Sequence, residues 1–418
     1  MRIPPRLTII FALVCFVALI IVAWALLRPS GPLLLGADFG LSVISPNADG
    51  LDDVTRIRYV LSQPATVSIH FLDEVGVRHV FRLGSPRGKG EHELLFSGIV
   101  NGYTLAEEEV EGHVLARVLQ NGDYTWVIEA RNGSKRAQLS GSLSVVQADN
   151  TLPDIRGFSV SPPVFTPNRD GISDRVWVNL FLTKEALVNV KLIDDDGVGL
   201  PIAEREGNVA PGEVGFHTFE YEGGVDLGVS PPSDGVYEIY ALAEDRLGQK
   251  VQARSELGIE HGGVPRADIV NANVEFSDTI IVQGNTLTVT LTVENYGAAP
   301  IRTTGPAPGF VYNQEENSNS VGWYEESGAW RVGVDCDTCI RDYPWRWSLA
   351  PMEELTKIGE YWYLMPGQRV TVSGGIIITE IPARNPLYFW AGLIHEDVEI
   401  SNINNRVDPH FITIVPSD

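Results

Sequence analysis

The stretch "SPNADGLDD", Ser45 to Asp53, gathers Asn47, Asp49, Asp52 and Asp53 around Gly50, directly ahead of an alternating apolar run. Oxygen-bearing side chains at this spacing suit a calcium ion. They equally suit a turn, since Asn and Asp bond nearby backbone amides and glycine accepts positive φ. The pattern returns as "TPNRDGISD", Thr166 to Asp174. Laying Asn47 on Asn168 sets an offset of 121 residues, which carries Asp49 to Asp170, Gly50 to Gly171 and Asp53 to Asp174, while Asp52 becomes Ser173. The same offset carries Ile57, Tyr59 and Leu61 to Val178, Leu180 and Leu182. It carries Val67, Ile69 and Phe71 to Val188, Val190 and Leu192, and the hairpin glycine Gly76 to Gly197. Apolar residues at every second position mark half-buried strands, so two strands and their turns keep one register in both copies.

The second halves of the copies match at a shorter offset of 113, which lays Tyr124 on Tyr237 and Ala130 on Ala243. The difference between the offsets assigns about eight extra residues to the first copy, in the acidic loop around "LAEEEVEGH", and loops of that length are thermodynamically cheap. The Gly-x-Tyr ahead of a late strand has the form of a tyrosine corner, whose hydroxyl bonds back to upstream backbone. Residues 37–148 and 149–262 therefore read as two sandwiches of one type.

The "SPN-x-DG-x-x-D" opening, the central hairpin and the "DG-x-Y…A-x-D-x-x-G" exit resemble the immunoglobulin-like domain of the flagellar hook-capping protein. The second copy carries the exit in full, as Asp234-Gly235-Val236-Tyr237 and Ala243-Glu244-Asp245-Arg246-Leu247-Gly248; the first has Asn132-Gly133 in place of the aspartate. The resemblance covers about half the chain and implies a sandwich fold and an extracytoplasmic place. It does not imply the hook-capping role, because the flagellar N-terminal region is replaced by an apolar segment. From about Pro265 onward, Leu287, Val289, Leu291 and Val293 alternate with threonines and lead to Asn295 and Gly297. This opening resembles CARDB-type adhesion modules, which implies a third sandwich over residues 263–418. "PGQRVTVSGGIII" and "YFWAGLIHE" are further strands of it, and residues 306–363 read as an insertion.

The N-terminal residues are of another kind. Leu7 to Leu27 is 21 residues without a charge and apolar but for Thr8, about 31 Å as a helix and long enough to cross a bilayer core. Arg2 and Arg6 precede it, which by the positive-inside rule leaves residues 1–6 in the cytoplasm and everything after the 28–36 linker outside. Ala23-Trp24-Ala25 also fits a signal-peptidase site, so the segment is either an uncleaved anchor, the reading preferred here, or a cleaved signal. The expected fold is all-β: three tandem immunoglobulin-like β-sandwiches after an N-terminal transmembrane helix.

Acidic residues number 54 against 31 basic, a formal net charge of −23. Phosphate binding needs a concentrated basic face, so nucleic acid is excluded as a partner. Candidate calcium ligands are Asn47, Asp49 and Asp53 in one loop and Asn168, Asp170 and Asp174 in the other, although three side chains fall short of a full shell and neither loop has the EF-hand pattern. Cys336 and Cys339 form a CxxC with no second ligand pair for zinc and no βαβ context for redox work. Outside the cytoplasm a local disulfide is expected. Six of the nine tryptophans fall after residue 320. Trp345 and Trp347 would share one face of a strand, either as a sugar-stacking platform or as core. No H-E-x-x-H, nucleophile elbow or phosphate loop is present. The sequence thus leads to a non-enzymatic, membrane-anchored adhesion or scaffold protein with a two-domain stalk and a C-terminal domain for a protein or glycan partner. A carbohydrate-binding surface module, or an enzyme with its site in 306–363, are the alternatives.

Overall fold

The computed structural model describes residues 13–22, 31–194 and 196–417. Strands dominate it, as the alternating runs require. In the first unit, strands Leu34–Phe39, Thr55–Leu61 and Gly90–Phe96 form one sheet. Val43–Ile44, Lys135–Val145, Gly122–Asn132, Ala65–Leu72 and Arg78–Arg87 form the other, in that spatial order. The second unit repeats the plan strand for strand. Ile155–Ser161, Val176–Leu182 and Gly215–Tyr221 face Val164–Phe165, Lys250–Ile259, Gly235–Glu244, Leu187–Ile193 and Gly199–Glu204. Ile57, Tyr59 and Leu61 are buried in the first core, and Val178, Leu180 and Leu182 in the second, so the shared register is a shared inward face. Both tyrosine corners are made: Tyr124 donates to the Gln120 carbonyl at 2.9 Å and Tyr237 to the Ser233 carbonyl at 2.7 Å.

The third unit follows the same order. Ala267–Phe276, Thr286–Asn295 and Arg369–Ile377 lie in one sheet, joined by Val311–Asn313; Ile280–Val282, Val407–Val415, Leu387–His395, Trp330–Cys336 and Trp345–Trp347 form the other. Residues 306–363 are therefore not an appendage, as the sequence suggested. They supply Trp330–Cys336, which pairs along its whole length with Leu387–His395. Every residue of Trp330–Cys336 is buried, because both faces are covered. Its sequence alternates all the same: Trp330, Val332, Val334 and Cys336 enter the core, and Arg331, Gly333 and Asp335 lie on the other covered face.

The apolar segment Leu7–Leu27 lies mostly outside the described residues. Within it, residues 13–22 are helical with exposed side chains. Among the described residues no helix is long and apolar enough to cross a membrane, so the expected transmembrane helix is without support here.

The units are joined by more than linkers. Strand His113–Val118, on the first unit's extra loop, leaves its own sandwich and pairs with Lys250, Val251 and Gln252 at the edge of the second. The hairpin of Ile99–Asn101 and His113–Val118 thereby forms the edge of the second unit's sheet. Val114, Leu152 and Val251 bury a small apolar cluster at the crossing. At the offset of 113 the second unit's equivalent positions are Asp226 to Pro231. They form a 3-10 turn, Val225–Leu227, followed by Pro231 and Pro232, and no such strand.

Candidate functional site

With the cores alike, function must reside where the units differ, at the junctions and on the surfaces. The two carboxylate loops are the first place to look. In the first, Asp53 accepts from the amides of Asn47 at 2.9 Å and Ala48 at 2.8 Å through Oδ1, and from Gly50 at 2.7 Å through Oδ2. Asn47 Oδ1 accepts from the Asp49 amide and Asp49 Oδ1 from that of Leu51. Burial tends to raise the Asp53 pKa, yet the three amides together outweigh it and hold the carboxyl below its ordinary value. The side-chain oxygens proposed as calcium ligands are thus engaged in building the turn. Among the described residues no group of three His, Cys, Asp or Glu side chains is placed to hold a metal.

The second loop builds the same turn. Asp174 accepts from Asn168 and Gly171, Asn168 from Asp170, and Asp170 from Ile172. Its outer side, however, is occupied by the third unit. Tyr363 donates to Asp170 Oδ2 at 2.8 Å. His395 Nε2 lies 2.8 Å from the Arg169 carbonyl; a carbonyl only accepts, so Nε2 carries the proton. Gly171 and Gly328 let the backbones meet: a Cβ on Gly171 would stand 2.3 Å from the Ser327 carbonyl oxygen, and one on Gly328 2.1 Å from the Asp170 carbonyl carbon. Arg302 donates to the Ser327 carbonyl and holds that segment in place.

This enclosure changes the electrostatics. Asp170 is only 4% exposed, and burial pushes its pKa up against the pull of Tyr363. Asp174 is pushed up to about 6 by burial and by the Asp170 charge. His395 is pushed down to about 4, chiefly by burial, and is neutral near pH 7. Its ring stacks on Trp330 at 4.4 Å. The next residue, Glu396, is buried against Arg346 at 2.8 Å and Arg331 at 3.3 Å. His395 and Glu396 are thus both engaged in contacts within the protein. A pocket of about 190 Å³ opens beside the clasp, lined by Asn168, Asp170, His261, Tyr361 and Tyr363 among others.

The junction of the first two units is polar as well. Gln249 Nε2 donates to the carbonyls of Asp149 and Thr151 and to Asp245, while its oxygen accepts from the Val118 amide. Lys184 bridges Asp149 at 2.8 Å and Asp245 at 2.6 Å. Asp154 receives the amides of Glu111 and Gly112 at the start of the crossing strand.

Cys336 and Cys339 are joined by a disulfide with an S–S distance of 2.04 Å. It closes the end of strand Trp330–Cys336. Trp345 and Trp347 do not form a platform. They are 2% and 0% exposed, inside the third core, where Trp347 Nε1 donates to the Phe310 carbonyl at 2.9 Å. The sugar-stacking expectation at these two residues is corrected on that ground: no ring face is open to a ligand. Sequence reasoning missed the clasp residues Tyr363, His395 and Gly328, which are far in sequence from their partners in the second unit, with no local pattern to mark them.

Fold and junctions together define an all-β protein of serially fused sandwiches. No family model matches the chain, and no curated protein does. The likenesses to hook-capping and CARDB modules therefore stand on the quoted residues alone. Among solved structures, similarity extends to part of a 1.5-MDa bacterial ice-binding adhesin, at 11% identity, over 93% of this chain and 99% of that one, with a TM-score of 0.22. It extends to E. coli alpha-2-macroglobulin, at 10% identity, 92% and 23% coverage and a TM-score of 0.20. Dimeric latent PorU from Porphyromonas gingivalis gives 10%, 94% and 35%, and 0.20. At these identities and scores the likeness carries nothing about activity or partners.

Proposed function

We propose that the chain is a non-enzymatic extracytoplasmic adhesion or scaffold protein, held to a membrane through Leu7–Leu27. Its first two units form a stiff stalk and its third unit is the partner-binding domain. The observation that supports this reading is the construction of both junctions. A shared sheet and a buried, hydrogen-bonded clasp stand where freely moving domains would have an exposed, few-contact linker. Stiffness is what a spacer needs and what a chain of independent modules lacks.

Hydrogen exchange on the full chain tests the stalk. Amides at Val118, Gly171 and Gly328 should exchange as slowly as core-strand amides, and fast exchange there would mean hinged units. Removal of residues 265–418 tests the binding domain: attachment to cells or matrix should be lost, and undiminished attachment would refute the assignment. Resistance of the full chain to alkaline extraction from membranes tests the anchor.

A further inference from the structure

The strands of the first unit run between two ends. At one the chain enters: Ser62 donates to the Pro32 carbonyl at 2.7 Å and to that of Leu33 at 3.0 Å. At the other it leaves for the second unit, where the Asp149 amide donates to Pro46 in the loop 45–53. Leu34 pairs with Leu61 and Leu61 with Gly90, which sets the turn 87–90 at the entry end. Asn132 donates to the Pro64 carbonyl at 2.9 Å and Arg131 stands opposite Thr66, which sets the hairpin tip 131–136 there too. Five cations therefore gather at this end, Arg87 and Lys89 from one turn and Arg131, Lys135 and Arg136 from the other. All but the half-buried Arg87 are exposed. The carboxylates beside them are Glu91 and Glu129, and Glu129 pairs with Arg131 at 3.0 Å. The acidic loop 45–53 and the tip at Asp73 and Glu74 put the opposite charge at the exit end.

The second unit shows that the fold does not require these cations. At the offset of 113, Arg131, Asn132, Lys135 and Arg136 become Glu244, Asp245, Gly248 and Gln249. There the hairpin is seated on the first unit, for Gln249 bonds the Asp149 and Thr151 carbonyls and the Val118 amide. The entry end of the second unit thus docks on what precedes it. What precedes the first unit is the apolar segment Leu7–Leu27. Pro32 follows Leu27 by five residues, about 18 Å at full extension. Residues 31–148 hold 14 acidic and 10 basic residues, whereas 149–262 and 263–418 each hold 20 and 9. The unit beside the segment is therefore the one least repelled by an anionic surface.

We infer that the entry end of the first unit seats on anionic lipid headgroups of the membrane that holds Leu7–Leu27, which rests on the anchor reading above. Within about 10 Å of such a surface, roughly the screening length, each Lys or Arg is attracted in its own right. Arg136 and Arg87 stand on strands with two others between them, about 14 Å apart at the usual strand spacing. Two contact points at that separation fix the tilt of the stalk, which a single tether leaves free. The cations come from two separate turns, so no basic run marks them in the sequence.

The test uses the full chain reconstituted in vesicles of phosphatidylcholine alone and of phosphatidylcholine with phosphatidylglycerol. Cys336 and Cys339 are joined and Cys15 lies in the apolar segment, so Ser134→Cys supplies one reachable thiol for a fluorophore. A quencher carried on lipid headgroups should dim that label in the anionic vesicles, and high salt should restore it. A label at Glu74→Cys, at the exit end, should stay bright in both. Lys89→Ala and Arg136→Ala should each lower the ratio of seated to free stalks about fivefold. Neither should change the melting temperature, because both side chains are exposed. Equal dimming in both kinds of vesicle, no dimming at residue 134, or dimming indifferent to both substitutions overturns the inference. So does self-association in detergent that Arg136→Ala abolishes, since the cations would then meet an acidic face of another copy. Release of the chain from the vesicles by alkali is a separate failure: it defeats the anchor reading and this inference with it, whereas every result above leaves the anchor standing.

Discussion

In the first unit the loop Ser45–Asp53 stands in solvent, whereas in the second its counterpart Thr166–Asp174 is pressed beneath the third unit. Their backbones are superimposable in kind: Ala48, Gly50 and Asp52 have φ of 63°, 86° and 55°, and Arg169, Gly171 and Ser173 have 60°, 82° and 52°. Four internal amide bonds correspond: those given by Asn47, Asp49, Gly50 and Leu51 and those given by Asn168, Asp170, Gly171 and Ile172. The change lies outward. Asp49 Oδ2 accepts from its neighbour Asn47 at 3.2 Å, while the equivalent oxygen of Asp170 accepts from Tyr363. A turn that folds itself has its remaining oxygens and its bare glycine available to a partner. In the second copy that surplus became a joint.

The comparison breaks most sharply at the glycines. Both have positive φ, so alanine costs about 1–2 kcal/mol at either from backbone strain. A Cβ on Gly50 meets nothing within 4 Å, but on Gly171 it would meet the Ser327 oxygen at 2.3 Å, adding about 1–3 kcal/mol of overpacking. Urea unfolding of Gly50→Ala and Gly171→Ala should show this gap, and equal costs would mean the clasp is not closed in solution. Next come the closing carboxylates. At pH 7 Asp53→Asn should cost about 1–2 kcal/mol, the loss of a charged acceptor of three amides. Asp174→Asn should cost less, since burial already penalises that charge. Tyr363→Phe, which has no equivalent in the first loop, should cost about 1 kcal/mol and speed exchange at the clasp ahead of the cores.

Acid sharpens the contrast further. Asp53 is depressed below 3.8, so its contribution is present above that value and is lost as pH falls through the folded pKa. Asp174, raised to about 6, behaves oppositely: its protonation favours the folded state, and stability falls as pH rises from about 4 to 6. His395, lowered to about 4 from 6.5, contributes fully above 6.5 and loses its contribution toward pH 4. The cost of His395→Gln should therefore shrink as pH falls from 7 toward 4, followed by chemical denaturation at each pH. The smallest effect is expected from calcium or a chelator. With the Asn and Asp oxygens engaged by amides or by Tyr363, neither loop should shift its melting temperature, and a shift confined to the exposed loop would reopen the metal reading there.

The fold was legible where burial is one-sided. Ile57, Tyr59 and Leu61 announced a strand, and the fixed offset announced its copy. Trp330–Cys336 carries the same alternation, Trp330, Val332, Val334 and Cys336 against Arg331, Gly333 and Asp335, yet it lies within the residues read as an insertion, because no copy elsewhere in the chain marks it as a strand of the sandwich. The extra residues of the first copy were read as a cheap acidic loop, yet they bring in His113–Val118 and the buried Arg117, which pairs with Glu108. Nothing local distinguishes a loop that crosses to a neighbour from one that hangs in water. The clasp was illegible for the same reason: Tyr363 and Asp170 become neighbours only once three sandwiches have stacked. The tryptophans were weighed by number, whereas position decides: Trp345 and Trp347 are enclosed, and a single Trp177 in the second unit is open.

The crossing strand has one more consequence. A domain that lends a strand to its successor is a joint that duplication could extend indefinitely, yielding fibres of arbitrary length. In the second unit the lending positions hold a 3-10 turn, and Pro231 and Pro232 after it have no amide hydrogen to give a ladder. The joint can be made once and not passed on. A third copy joined in the same way would need that proline segment rewritten, and the third unit of this chain is joined through the clasp instead.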